Sequence, residues 1–278
     1  MTHVAVAIHG DDGDVGDRDF DGPVFVDVAR SELAKLFTVR ATYLSLAAAV
    51  FLIIAAAIGL CEAYVRHVAQ LSLTQLEFNP TSYSLSGVLV AQLVIGVLGI
   101  LVITSEHATG LIRSTFAAVP QRRTVLAAKA TVFGLVTLIV SEAAAFTAFG
   151  IGQAILAGNH TGTTLAAPGV LRAVAGSGLY LALLGLLALA IGVIVRHSAG
   201  AVAVLFAILL VLPAMTEGLP DSLQETVNPY LPAYAGQAMF RTSESGHLLQ
   251  PWQGLALFTA YTAAALVVAA ITIGHRDT

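Results

Sequence analysis

Charge is what this chain has least of. Asp, Glu, Lys and Arg make up 11% of its 278 residues and hydrophobic residues 57%, whereas an ordinary globular domain carries about 25% charged and about 45–50% apolar residues. With a mean hydropathy of +0.84, the chain is expected to be an integral membrane protein and not one or two soluble domains. Cysteine is nearly absent. Cys61 stands alone, so no internal disulfide can form, and it reads as a small apolar filler at the end of a span. Catalytic signatures are missing as well: there is no Gly-x-x-x-x-Gly-Lys-[Ser/Thr] phosphate loop, no His-Glu-x-x-His and no Gly-x-Ser-x-Gly. The eight histidines (3, 9, 67, 107, 160, 197, 247 and 275) have no ligand spacing, so neither a metal site nor a hydrolytic triad is expected. A membrane enzyme fails for want of a catalytic set, and no nucleic-acid partner is expected.

What the chain does have is long apolar runs, since about 20 helical residues cross a hydrocarbon core of roughly 30 Å. Six are predicted, at about 43–60, 84–104, 125–150, 170–195, 199–215 and 251–273, giving an all-α membrane domain over residues 23–278. Seven of the nine Asp residues fall within the first 27 positions. The stretch Gly10-Asp-Asp-Gly-Asp-Val-Gly-Asp-Arg-Asp-Phe-Asp-Gly22 is too polar and Gly-rich to bury a core, so residues 1–22 are expected to be a disordered acidic tail. The spacing of Asp11, Asp12 and Asp14 is faintly similar to a calcium loop but lacks the closing Glu, which leaves a solvated tail. No signal peptide is expected, because the first apolar run begins only near Thr42. Between Val24 and Thr42 the apolar positions Val24, Val28, Leu33, Leu36 and Phe37 oppose Asp27, Arg30, Glu32, Lys35 and Arg40. That pattern predicts an amphipathic interfacial helix, apolar face down, running straight into span one.

Six spans put both termini on one side, and positive charge indicates which. The side with the termini, the 2–3 loop and the 4–5 loop carries Arg18, Arg30, Lys35, Arg40, Arg113, Arg122, Arg123, Lys129, Arg196 and Arg276, ten of the 13 basic residues. Both termini are therefore expected in the cytoplasm of a multi-pass protein in the cell membrane.

The 2–3 loop has a pattern of its own. Read as a helix, Ser105–Val119 puts Glu106, Thr109, Gly110 and Arg113 on one face and Leu111, Ile112, Phe116 and Val119 on another, with Pro120 as a stop and Arg122, Arg123 and Lys129 beyond it. This predicts a cytosolic helix lying along the membrane and offered to a partner. Two polar residues fall inside spans. Glu142, mid-way through span three, is costly there unless paired or wet, so it should face the bundle or a cavity. It is either a substrate-path or gating group, or a neutral carboxyl that reaches water. Gln92 in span two reads as an interhelical hydrogen-bond donor and a second candidate for the substrate path. Gly96, Gly99, Gly176, Gly178 and Gly185 predict close helix packing.

These residues carry a resemblance. Glu106-His-Ala-Thr-Gly-Leu-Ile-Arg113, followed by Pro120-x-Arg-Arg and Lys129, is similar to the E-x-x-x-G-T-x-R … P-x-R … K signature of permease subunits of ABC-2 type exporters, especially their actinobacterial drug-exporter branch. Leu111 stands where that family usually has Thr. Arg30-x-Glu32-x-x-Lys35-x-x-x-x-Arg40 resembles the family's lead-in helix, and Asn228-Pro-Tyr230-Leu231-Pro232-Ala-Tyr-Ala-Gly236 resembles its extracellular element between spans five and six. The resemblance covers about residues 24–275. It implies that the 2–3 loop is a coupling helix docking on a separate ATP-binding subunit, which binds the ATP and Mg; this chain itself holds no cofactor. It further implies that Arg196 makes a smaller contact with that subunit, that Glu106 and Arg113 brace the coupling helix through Lys35 or Arg40, and that Tyr230, Leu231, Pro232 and Gly236 belong to an extracellular gate. A second copy, identical or paralogous, would complete the unit. The function expected is export of an amphipathic or hydrophobic drug, peptide or lipid; the alternative is a gradient-driven secondary transporter with Glu142 as its ion-coupled group.

Overall fold

The computed structural model describes residues 23–68, 78–109, 122–242 and 248–275, so the acidic tail at 1–22 lies outside it. Among the described residues every regular element is helical. Six segments are long and apolar enough to cross a membrane, and they coincide with the six runs of the sequence. They are α2 (Arg40–Val68), α4 (Val88–Thr109), α5 (Arg122–Ala157), α6 (Val170–Val195), a composite fifth, and α11 (Pro251–His275). The fifth runs through α7 (Ser198–Phe206), a π turn (Ala207–Val211) and α8 (Leu212–Thr216). Pro213 explains the π turn. It supplies no N–H to the helix ladder and its ring collides with the carbonyl four residues back, and one wider turn relieves both faults.

Span two is broken where the sequence suggested continuity. α3 (Pro80–Leu85) precedes α4 as a separate turn and a half, started by Pro80 in the first turn and by Asn79, whose Oδ1 accepts from the Thr81 and Ser82 N–H groups. α5 is longer than the 125–150 expected. Its 36 residues extend about 54 Å at 1.5 Å each, well beyond a roughly 30 Å apolar layer, so its Arg122–Lys129 root projects past the apolar run.

α6 is the axis of the bundle. In its apolar window 72% of residues are buried, against 22% in α11 and 28% in α2, because α4, α5 and α11 all pack on it. Tyr180, Phe133 and Phe258 are fully buried around it. α4 approaches it closely at Gly99, where a Cβ would lie 2.4 Å from the Gly185 carbonyl oxygen of α6. That neighbour is backbone and cannot swing aside, so Gly99→Val must push the two helices apart. A loss of about 1–3 kcal/mol is expected, read as a lower thermal unfolding midpoint in detergent; an unchanged midpoint would show that the helices part at no cost.

The lead-in helix departs from its predicted form in two ways. α1 (Pro23–Thr38) does not run straight into span one: the helix is interrupted at Val39, and α2 starts at Arg40. Nor does the buried face follow hydrophobicity alone. Val28, Glu32 and Leu36 form the buried stripe, at i, i+4 and i+8, while Leu33 and Phe37 are exposed, Phe37 to 62%. Val28 packs on Val125 and Ala128 of the α5 root, so α1 is docked on span three more than on the span it precedes. Glu32 turns inward because that root holds a lysine to receive it.

Candidate functional site

The terminal face is built on that contact. The Glu32 carboxylate is only 3% exposed and is flanked by two ammonium groups: Lys35 Nζ, one turn on in α1, at 2.6 Å, and the buried Lys129 Nζ from α5. A carboxylate out of water costs several kcal/mol unless charge and hydrogen bonds meet it, and two lysines on two helices meet this one. The other basic residues of the lead-in helix stay outside. Arg30 makes a solvent-exposed pair with Asp27 at 3.7 Å, a contact of the kind that contributes little, and Arg40 is exposed. Arg123 is likewise exposed at the start of α5.

Of the residues assigned to the 2–3 loop, Gly110, Arg113 and Pro120 lie outside the described residues. Glu106 and Arg122 stand at the ends of α4 and α5, with side chains outside the description. The brace from Glu106 and Arg113 to Lys35 or Arg40 therefore falls outside it too. The brace that the structure does contain runs from Glu32 to Lys129. On the same face Arg196 closes α6 in the left-handed conformation (φ 60°), its N–H donating to the Gly192 carbonyl, and the His197 ring accepts from the Gly200 N–H to cap α7. Two spans thus turn within two residues.

At the far face, the segment between spans five and six folds into pieces that its prolines delimit: α9 (Asp221–Val227) after Pro220, a 3₁₀ turn (Asn228–Tyr230) with Pro229, and α10 (Pro232–Gln237) opened by Pro232. Sequence reasoning missed what holds it. Arg172, in the first turn of α6, donates from Nη1 to the Met239 carbonyl at 2.7 Å and from Nη2 to the Arg241 carbonyl at 3.2 Å. Arg241 in turn donates to Gln237 Oε1 at 3.1 Å and lies over the Tyr234 ring at 5.2 Å. Burial lowers the Arg241 pKa from its ordinary value, and the nearby Tyr234 and Tyr180 act in the opposite sense. The available signal was a lone arginine opening an apolar span.

Of the residues expected to form an outer gate, Tyr230 is exposed and its carbonyl accepts from the Tyr261 hydroxyl at 2.8 Å. Leu231 is half-buried. Gly236 packs so tightly that a Cβ there would lie 2.4 Å from the Tyr180 ring. Beside them a cavity of about 300 Å³ is lined by Asp221, Gln224, Glu225, Asn228, Tyr234 and Leu248.

No family model matches this chain, and no curated protein does. What it can do therefore rests on its own geometry.

In the middle of the bundle the two polar candidates separate. Gln92 is buried on α4, and its Oε1 accepts from the Tyr180 hydroxyl of α6 at 2.5 Å; the interhelical bond was foreseen, but Gln92 is its acceptor. Tyr180 is flanked by Phe240 and Phe258, so this bond knits the packed core. Glu142 differs. It lies against α6 at Gly178, where a Cβ would come 2.5 Å from the Glu142 Cδ. Its Oε2 is buried with no partner. Glu142 and Gln92 are thus both polar groups facing α6, but only Glu142 retains an unmet oxygen.

Proposed function

We propose that this chain is the membrane-spanning permease subunit of an ATP-driven exporter, inserted in the cell membrane with both termini in the cytoplasm. The observation that carries the reading is the fastening of α1 to the root of α5. The segment Glu106–Pro120 that resembles a coupling helix leads from α4 in sequence to this root, so a push on that segment would reach α5 and α1 together. α5 packs along α6, which would pass the displacement to the centre of the bundle. The ten-to-three split of basic residues supports the orientation. In this reading a separate ATPase subunit, which itself binds ATP and Mg, docks at Glu106, Gly110, Arg113, Pro120, Arg122, Arg123 and Arg196, a second permease copy completes the assembly, and the cargo is hydrophobic or amphipathic. The segment around Tyr230–Gly236 closes the outer mouth.

The gradient-driven alternative has one residue in its favour, Glu142. A relay of several intramembrane charges and broken helices is what such transporters usually show, and one carboxylate is a thin substitute. The deciding experiment is capture of the ATPase. The purified chain should bring down an ATP-binding subunit, the pair should show substrate-stimulated ATP hydrolysis, and changing Glu106 and Arg113 together to Ala should abolish that stimulation while membrane insertion persists. Proton-linked flux by the chain alone in liposomes would overturn the proposal.

A further inference from the structure

Within residues 43–60, 84–104, 133–154, 174–194, 199–215 and 252–272, the apolar bodies of the six spans, Glu142 is the one Asp, Glu, Lys, Arg or His. A carboxylate at that depth needs a countercharge, and among the described residues no ion pair to Glu142 is found, its Oε2 being buried without a hydrogen-bond partner. On α5 the next ionisable group is Lys129, about 20 Å down the axis, and it is already engaged by Glu32. On α6 there are Arg172, about 9 Å up the axis with its guanidinium on the Met239 and Arg241 carbonyls, and Tyr180, bonded to Gln92. On α2, which also packs on α5, Glu62 and Arg66 pair with each other and Cys61 meets Ser84; on α11, Tyr261 is bonded to the Tyr230 carbonyl, and His275 stands at the far end of the helix. None of these faces Glu142 as a counterion.

The fold nonetheless makes room for it. Gly178 leaves open the space that Glu142 Cγ, Cδ and Oε1 occupy, and any larger residue there would collide with all three. Glu142 is also only partly covered: one oxygen is sealed against α6 without a partner, while part of the residue stays open. A position packed this closely, left short of a countercharge and open on one side, suits a carboxylate whose partner arrives from outside.

We infer that Glu142 binds the positively charged group of a lipophilic amine or quaternary cation, and that this is the class of compound the bundle accommodates. That such a compound is then exported rests on the function proposed above; that it binds does not. The apolar spans take up the hydrophobic body, and burial of the ion pair in a low-dielectric seam makes the charge discriminating. A proton is the competing occupant.

The test uses the full chain in lipid nanodiscs, with neither nucleotide nor ATPase present, so that its failure is distinct from failure of the export reading. The probes are tetraphenylphosphonium, a lipophilic cation, and triphenylphosphine oxide, an uncharged analogue. Glu142→Gln should weaken tetraphenylphosphonium binding about 10-fold or more, as loss of a buried charge pair implies, and leave the neutral probe unaffected; Glu142→Asp should retain part of the affinity. In the wild type, lowering the pH should weaken cation binding alone, because a protonated carboxyl no longer attracts it, and this measurement stands even where Glu142→Gln does not fold. Three results would overturn the inference: wild-type affinity for the cation in Glu142→Gln, parallel loss of both probes, or cation binding that is absent or independent of pH in the wild type.

Discussion

Glu32→Ala should lower the stability of the chain by about 3–5 kcal/mol, the usual consequence of removing one partner from a buried ion pair. The size follows from what remains. Lys129 is 3% exposed, and Glu32→Ala takes from its buried ammonium the carboxylate that meets it. Lys35 is less affected, since its side chain is 41% exposed. The damage should be reversible by a second change. Glu32→Ala with Lys129→Met removes both charges and fills the root with apolar volume, which is often neutral or stabilising relative to a buried pair. Thermal unfolding in detergent of the wild type, both single variants and the double variant checks this. If Glu32→Ala and the double variant unfold together, the pair does not hold α1 in place. Under the proposed function, Glu32→Ala should also separate ATP hydrolysis from transport, because α1 would no longer move with the α5 root.

The second large effect is expected at the far face. Arg172→Met keeps much of the aliphatic length but removes two hydrogen bonds from a charged donor, each worth about 1.5–3 kcal/mol, and leaves the Met239 and Arg241 carbonyls without that donor. The loss should be local. Met239 is 5% exposed and Gly236 packs on Tyr180, so the outer segment is held partly by apolar contact and partly by this guanidinium. Amide exchange over Pro232–Arg241 should speed up by about 10-fold or more, as a loss of roughly 1.4 kcal/mol or more in local opening implies, while α4 keeps its protection. Uniform acceleration along the chain would mean that Arg172 supports the whole bundle; no acceleration would mean that the two bonds contribute nothing there.

Most of the architecture was legible because a bilayer imposes simple rules. Runs of about 20 apolar residues had to be helices, and their number and bounds came close to the observed ones. The breaks between spans five and six fall at prolines 220, 229 and 232, since each removes a donor and fixes a dihedral. Glycines at 99, 178 and 185 announced close packing. Less legible was everything that depends on a partner distant in sequence. Helical periodicity placed Glu32 with Asp27, Arg30 and Lys35 on a polar face, and it lies instead on the buried one, because Lys129, 97 residues away, is brought beside it. Leu33 and Phe37, expected on the membrane-facing side of the lead-in helix, lie on the surface of the bundle. Arg172 gave no pattern at all, because its acceptors are backbone carbonyls nearly 70 residues on, and carbonyls have no sequence signature.

By itself, then, the sequence determined that the chain is helical and that it has six apolar runs long enough to cross a membrane, since hydropathy acts locally and needs no neighbour. The tertiary structure alone decided which polar groups are answered and which are not. Glu32, Gln92 and Arg172 each found a partner on another helix; Glu142, equally plain in the sequence, kept one carboxylate oxygen without a partner. The reason is that the cost of a buried charge is settled by what stands within a few ångströms of it, and those distances exist only once the helices have packed.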